Sequence, residues 1–272
     1  MPIPIIIRLT IREALRRKVI LGLIILSVLY LVLYTLGLAF MRAEMHIPKV
    51  MSVNDVYNFL AILGLYGADF LIVMLSVLVS VDAIAGEISS GTIQSIAVKP
   101  IRRHEIVLGK WLAFMILLGA SVLFLAGGVI GITLAVTGYL VPNTLTGLGI
   151  MFLEAMALLS VSLLGGTRLS TLANGVLGFG LFGLAFIGAG IQQIGDFTNS
   201  PAAVRIGQLS SLLMPTEALW RLALSNMSSG LNPFALMSTF ASAPDPGIVL
   251  YALGFIAVIM LLAIRSFQLR DL

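Results

Sequence analysis

Residues 82–111 read DAIAGEISSGTIQSIAVKPIRRHEIVLGKW, a polar and basic insert in an otherwise oily chain. Long apolar runs stand on either side of it, Phe59–Val81 before and Ile106–Val136 after. About 20 apolar residues in a helix cross the hydrocarbon of a bilayer, so the insert reads as the loop between two membrane spans. Working outward, the same rule finds Val19–Phe40, Leu148–Leu164, Leu172–Ile194 and Ile248–Ile264. Bare backbone is intolerable in lipid, and the runs lack the strict alternation of barrel strands, so the spans must be helices. The expected fold is all-α, a polytopic integral membrane protein with six transmembrane helices in one domain over 1–272. The third run is about 45 Å long at 1.5 Å per residue, and its first turns are expected to stand clear of the bilayer.

Composition agrees. Apolar residues make up 59% of the 272 and charged residues only 10%, against about 25% charge in an ordinary soluble chain. Mean hydropathy is +1.10. There are no cysteines, which excludes disulfides, thiol catalysis and cysteine-ligated metals. His46 and His104 have no metal-ligand spacing, and no catalytic residue, metal or bound cofactor is expected.

Charge placement sets the orientation. Arg8, Arg12, Arg16, Arg17 and Lys18 precede span one, and Lys99, Arg102, Arg103 and Lys110 lie between spans two and three. Arg168 lies between spans four and five, and Arg265 and Arg270 end the chain. The opposite side holds Arg42, Lys49, Arg205 and Arg221. An excess of Lys and Arg marks cytoplasmic loops, so both termini and the insert are expected there. The net charge of +4 is therefore a topology signal with a role at lipid headgroups, and nucleic acid is not an expected partner.

Before span one, Ile7, Ile11 and Leu15 recur every four residues beside a stripe of Arg8, Arg12 and Arg16. Residues 1–18 thus read as an amphipathic helix along the membrane surface, apolar groups in the acyl boundary and guanidinium groups among phosphates. Within the insert, span two can continue as a helix to about Glu87 or Ser90. Gly91 breaks it, and Thr92 can cap a short new helix. In that helix Ile93, Ile96 and Ala97 form a small apolar face. Lys99-Pro100 ends it, because the residue before proline resists helical angles. A short amphipathic helix projecting from two long spans is a mechanical lever.

The run Gly86-Glu87-x3-Gly91-Thr92-x7-Pro100, followed by Arg102-Arg103 and Leu108-Gly109-Lys110, resembles the pattern around the coupling helix of ABC-2-type (type V) transporter permeases. The resemblance extends to the six spans, the long stretch before the last one with its Met214-Pro215-Thr216 turn, and the tail Phe267–Leu272. Among subfamilies it leans toward the permease of the nitrous-oxide-reductase maturation transporter. The resemblance implies that residues 1–18 are an elbow helix and 82–105 the cytoplasmic coupling segment. It also implies a homodimer of permeases, each over one ABC ATP-binding subunit that holds the ATP and magnesium, in a prokaryotic cytoplasmic membrane. An accessory extracytoplasmic protein is a further possible partner. Glu87, Gly91, Thr92, Ile93, Ile96 and Pro100 would then contact the ATPase, with Arg102 and Arg103 pairing with its acidic groups or with anionic lipid. Independently, no Gly-x4-Gly-Lys-[Ser/Thr] loop occurs in the chain, so ATP hydrolysis is expected in a separate polypeptide. Export is the expected direction. A membrane scaffold that moves no solute, and an ion-coupled secondary transporter, stay open as alternatives.

Two carboxyl groups sit where charge is expensive, Asp69 within span two and Glu154 within span four. A charge at the bilayer centre costs about 2.5–3.5 kcal/mol on insertion scales. They line a polar path or hold a cation on one reading. On the other they are protonated or hydrogen-bonded to neighbours such as Ser160 and Ser162. Residues 195–246 form an extracytoplasmic stretch, long for a simple connection. Thr216 and Glu217 open an expected helix through Leu224 in which Trp220 offers an interfacial anchor. Leu231–Phe240 is a second apolar piece, too short to cross. Re-entrant or surface helices fit this stretch, and the resemblance makes Pro215, Thr216, Glu217 and Trp220 part of an outer gate. The glycines at 127, 128 and 131 and between 175 and 190 favour close helix packing.

Overall fold

The computed structural model describes residues 3–44, 52–86, 103–228 and 245–269, and the regular structure among them is helical. In chain order the helices are α1 (Ile3–Arg16), α2 (Lys18–Glu44), α3 (Val53–Ser80), α4 (Arg103–Thr137), α5 (Thr144–Gly166), α6 (Thr171–Thr198), α7 (Pro201–Leu213), α8 (Thr216–Met227) and α9 (Gly247–Gln268). Six of them, α2 to α6 and α9, are long and apolar enough to cross a membrane. Five contain one of the apolar runs whole and extend past it, and α3 holds the run from Phe59 as far as Ser80. Ser52 and Ser170 start α3 and α6 by accepting the Asp55 and Ala173 amides on their hydroxyls, which satisfies donors that a helix start leaves open. At 35 residues, α4 is about 52 Å long by its rise per residue, well beyond a hydrocarbon core.

The spans differ in how much of themselves they bury. In α5, 78% of the most apolar window is inside the bundle, against 17% in α2. Helix α5 is therefore the central pillar, packed on α3, α4, α6, α8 and α9. Helix α2 lies outermost. Two tyrosines fasten it: the Tyr30 hydroxyl donates to the Gly64 carbonyl, and the Tyr34 hydroxyl shares a 2.8 Å hydrogen bond with Thr133 Oγ1.

Helix α1 lies on α4. Its seam is Ile6, Thr10 and Ala14, with Thr10 and Ala14 buried, one position before the expected Ile7–Ile11–Leu15 stripe. Small side chains at the seam let the backbones approach. A Cβ on Gly109 of α4 would come within 2.7 Å of Ile6. Ile7 and Ile11 are half-buried on its flank, and Ile5, Leu9 and Leu15 face outward.

Helix α3 stops earlier than its hydrophobicity implies. The expected continuation to Glu87 or Ser90 gives way after Ser80 to a turn over residues 81–84. The Ser80 hydroxyl donates back to the Ser76 carbonyl at 2.6 Å, the Ala83 amide reaches Ser80 by a three-residue step, and other helices take the freed carbonyls.

After α6 the chain reverses at Asn199, which holds the left-handed conformation (φ 53) that asparagine tolerates, and Pro201 opens α7. Helix α7 runs back along α6. Cβ atoms built on Gly195, Gly207 and Gly188 would meet Ala203, Gln192 and Ser210 at 2.8, 2.2 and 1.9 Å. Since Ser210 faces a residue ten positions before the end of α6, α7 returns about 15 Å toward the bundle centre. The chain turns at Met214-Pro215, and α8 climbs along α5 until Asn58 of α3 donates to the Met227 carbonyl at 2.9 Å. Helices α7 and α8 are thus a re-entrant pair. Helix α8 starts at Thr216 as expected and runs three residues past Leu224. The apolar piece Leu231–Phe240 lies outside the described residues.

Candidate functional site

Asp69 and Ser76 are seven residues apart on α3 and share the face toward α5. Ser76 Oγ donates to the Ala155 carbonyl at 2.9 Å, which sets Asp69 against Glu154, the residue before Ala155. Both carboxyl groups are buried, Glu154 at 1% exposure, and each acts electrostatically on the other. No amide or hydroxyl donor among the described residues reaches either oxygen of Glu154. A carboxylate only accepts, so a bond between these two groups requires a proton on one of them. Ser160 and Ser162 do not serve them: the Ser160 hydroxyl accepts from Trp111 Nε1 at 3.1 Å and donates to the Met156 carbonyl, and Ser162 Oγ is buried without a partner among the described residues.

The re-entrant turn brings a third carboxyl to this pair. Glu217 stands in the first turn of α8, where the helix N-terminus favours negative charge, and it interacts electrostatically with both Asp69 and Glu154. Burial pushes the Glu217 carboxyl up to about 7, against the pull of Arg221 one turn on. Arg221 Nη2 donates to Gln192 Oε1 of α6 at 3.1 Å, and Glu217, Asp196 and Tyr66 all act on its charge. A seam of polar groups therefore runs from Asp69 and Glu154 through Glu217, Arg221 and Gln192 to Asp196. Near its outer end a recess of about 360 Å³ opens between α6 and α7, lined in part by Asp196, Asn199, Arg205 and Gln208. Such a seam can pass or hold a proton and hydrogen-bond a polar solute. Among the described residues no group of His, Asp or Glu is placed to hold a metal ion.

The other proposed gate residues surround Glu217. Pro215 forms the turn, and the Thr216 hydroxyl is buried without a partner among the described residues instead of capping α8. Trp220 is not an interfacial anchor. It is 2% exposed and packs edge-on against Tyr66, ring centroids 4.9 Å apart at 78°, because re-entry turns its face of α8 onto α3.

At the basic end of the bundle the structure defines the root of the polar insert. Glu87, Gly91, Thr92, Ile93, Ile96, Pro100 and Arg102 lie outside the described residues. Arg103 opens α4, and its Nη1 donates to the Gln268 carbonyl at the end of α9 at 3.1 Å. On the other side of the insert, Asp82 accepts from Arg17 Nη1 and from the Thr171 hydroxyl, each at 2.9 Å.

Sequence reasoning singled out no role for Asn174, Tyr66, Gln192 or Asp196, took Asp82 and Lys110 only as members of the insert and its motif, and treated Arg221 only as a charge. The heptad spacing of Asp69 and Ser76 was the available signal for the shared face. Nothing local points to the partners on α6 and α8.

The ABC-2 family transporter protein model matches residues 5–272. The chain is similar to the probable ABC transporter permease protein NosY of Stutzerimonas stutzeri, at 28% identity over 220 residues, which covers 75% of this chain and 77% of the relative.

Proposed function

This chain belongs to the ABC-2 family of transporter proteins and is a multi-pass membrane permease, and from that premise we propose that it exports a solute by relaying ATP hydrolysis in a separate subunit to its spans. The observation that carries this reading is a family match running from residue 5 to residue 272, over a bundle whose second and third spans meet at the basic end. In this reading two copies form the membrane core, each above one nucleotide-binding subunit, with the basic end in the cytoplasm. Glu87 and residues 91–98 contact the ATPase, while Arg102 and Arg103 pair with its acidic groups or with lipid. The re-entrant pair α7–α8 closes the outer side, and Asp69, Glu154 and Glu217 line the polar end of the path beneath it.

Purifying the tagged chain from its native membrane tests the reading. The expected companion is a protein with a Gly-x4-Gly-Lys-[Ser/Thr] loop, and its stable absence under mild extraction overturns the proposal. Gly91→Pro or Glu87→Ala should leave insertion intact and abolish the stimulation of that ATPase. The buried carboxyl cluster favours one second reading, an ion-coupled carrier. Transport that follows an ion gradient without nucleotide would select it.

A further inference from the structure

Three consecutive residues at the end of α3 are each held by a side chain from another element. The Val81 carbonyl accepts from Asn174 Nδ2 of α6 at 3.0 Å. The Asp82 carboxylate accepts from Arg17, at the joint between α1 and α2, and from Thr171 of α6. The Ala83 carbonyl accepts from Lys110 Nζ of α4 at 2.5 Å. The early stop of α3 makes this possible, since a helix continued past Ser80 would use those carbonyls itself.

The surroundings are built for the same contacts. Asn174 is fully buried, and its amide also donates to the Ser162 carbonyl of α5 at 2.9 Å. Space for it comes from Gly165 and Gly166, where a Cβ would lie 2.2 Å from Asn174 Oδ1 and 3.3 Å from Nδ2. Lys110 is 4% exposed, an expensive place for a charge, and its carbonyl partner offsets part of that cost. Arg17 is further fixed by a 2.6 Å pair with Glu13 one turn back on α1. A residue that only capped the end of α3 would need one of these contacts. The structure has four, from three elements.

We infer that Val81–Ala83 is a rigid collar at the root of the polar insert, and that Arg17, Lys110, Thr171 and Asn174 are positioning residues which make α1, α4 and α6 move with it as one body. This rests on the reading that the insert receives force from an ATPase. Any displacement entering the chain at residue 86 must pass through the collar before it reaches α3. There it is shared with the surface helix and two more spans. A hinge at this place would instead let the insert swing without moving the bundle.

The chain has no native cysteine, so Leu9→Cys on α1 and Val176→Cys on α6, both on exposed positions, accept a pair of spin labels. Their distance distribution is measured in the chain alone and in the complex with its ATPase, with and without ATP and vanadate. The side chains of Arg17 and Asp82 are 28% and 39% exposed, so Arg17→Glu and Asp82→Lys strand no buried charge and allow folding. Each single reversal should broaden the distribution in the chain alone and abolish the nucleotide-driven shift in the complex. The double reversal, made together with Glu13→Gln so that the new carboxylate at 17 meets no like charge one turn back, should restore both, which a loss of general stability would not do. Single reversals as narrow as the parent, or a double reversal that fails to recover, overturn the collar. Failure of any ATPase to co-purify sinks the permease reading instead, and the measurements on the chain alone still decide the collar.

Discussion

Glu217 shows how a single side chain can report on a fold-back. Its carboxyl is held up to about 7 from an ordinary 4.5, chiefly by burial. The unfolded chain releases this proton around 4.5 while the folded chain keeps it to about 7. Stability from this group is therefore full below about 4.5, falls across that window and is level above it. Glu217→Gln should flatten this part of the melting-temperature profile of the detergent-purified chain, raising the midpoint more at pH 8 than at pH 4.5. An unchanged profile would mean that the carboxyl is solvated. Asn174 is the complementary case, a neutral group whose loss leaves the Val81 carbonyl without its donor. Asn174→Ala should lower unfolding stability by about 1–3 kcal/mol, the range for leaving a buried polar group unsatisfied. Equilibrium denaturation in mixed micelles would measure it. Neither role is legible locally. Asn174 sits in a glycine-rich run that reads as packing surface, and its partners belong to α3 and α5.

Among the elements, the re-entrant pair depends on close approach. Gly207→Val should overpack the α6–α7 contact, because its Cβ would fall 2.2 Å from the Gln192 Cβ and 2.9 Å from the Gly188 carbonyl oxygen. A loss of about 1–3 kcal/mol is expected from such a clash. Gly190→Ala, with nothing within 4 Å of the added atom, serves as the control and should leave the melting temperature within error. The six spans were legible because one length rule applies to each run separately, and polar caps such as Ser52 and Ser170 moved only their ends. Helices α7 and α8, at 13 and 12 residues, are too short for that rule. Whether they lie on a surface or enter the bundle is decided by partners on α6, α5 and α3. The stop of α3 at Ser80 was hidden for the same reason, since apolar residues continue through Ala83-Ile84-Ala85 and the cause lies in donors from α4 and α6.

For the whole molecule, the two ends of the bundle offer a direct test of orientation. Leu145 begins α5 at one end and Leu172 begins α6 at the other, at 86% and 81% exposure. With the basic end in the cytoplasm, Leu145→Cys should react with a membrane-impermeant maleimide on intact cells, and Leu172→Cys only after permeabilisation. The reverse pattern would invert the proposed topology and remove the insert from the compartment that holds ATP. The outlying position of α2 carries a different consequence, for how the sequence can drift. Ile25, Leu29, Val32, Leu33 and Leu36 touch little protein, so a saturation library should accept any aliphatic residue there. Tyr30 and Tyr34 should resist replacement even by phenylalanine, and the buried Ile20 and Leu38 should tolerate little change of volume, leaving the lipid-facing side of the first span as a stretch of nearly free spelling pinned at a few letters.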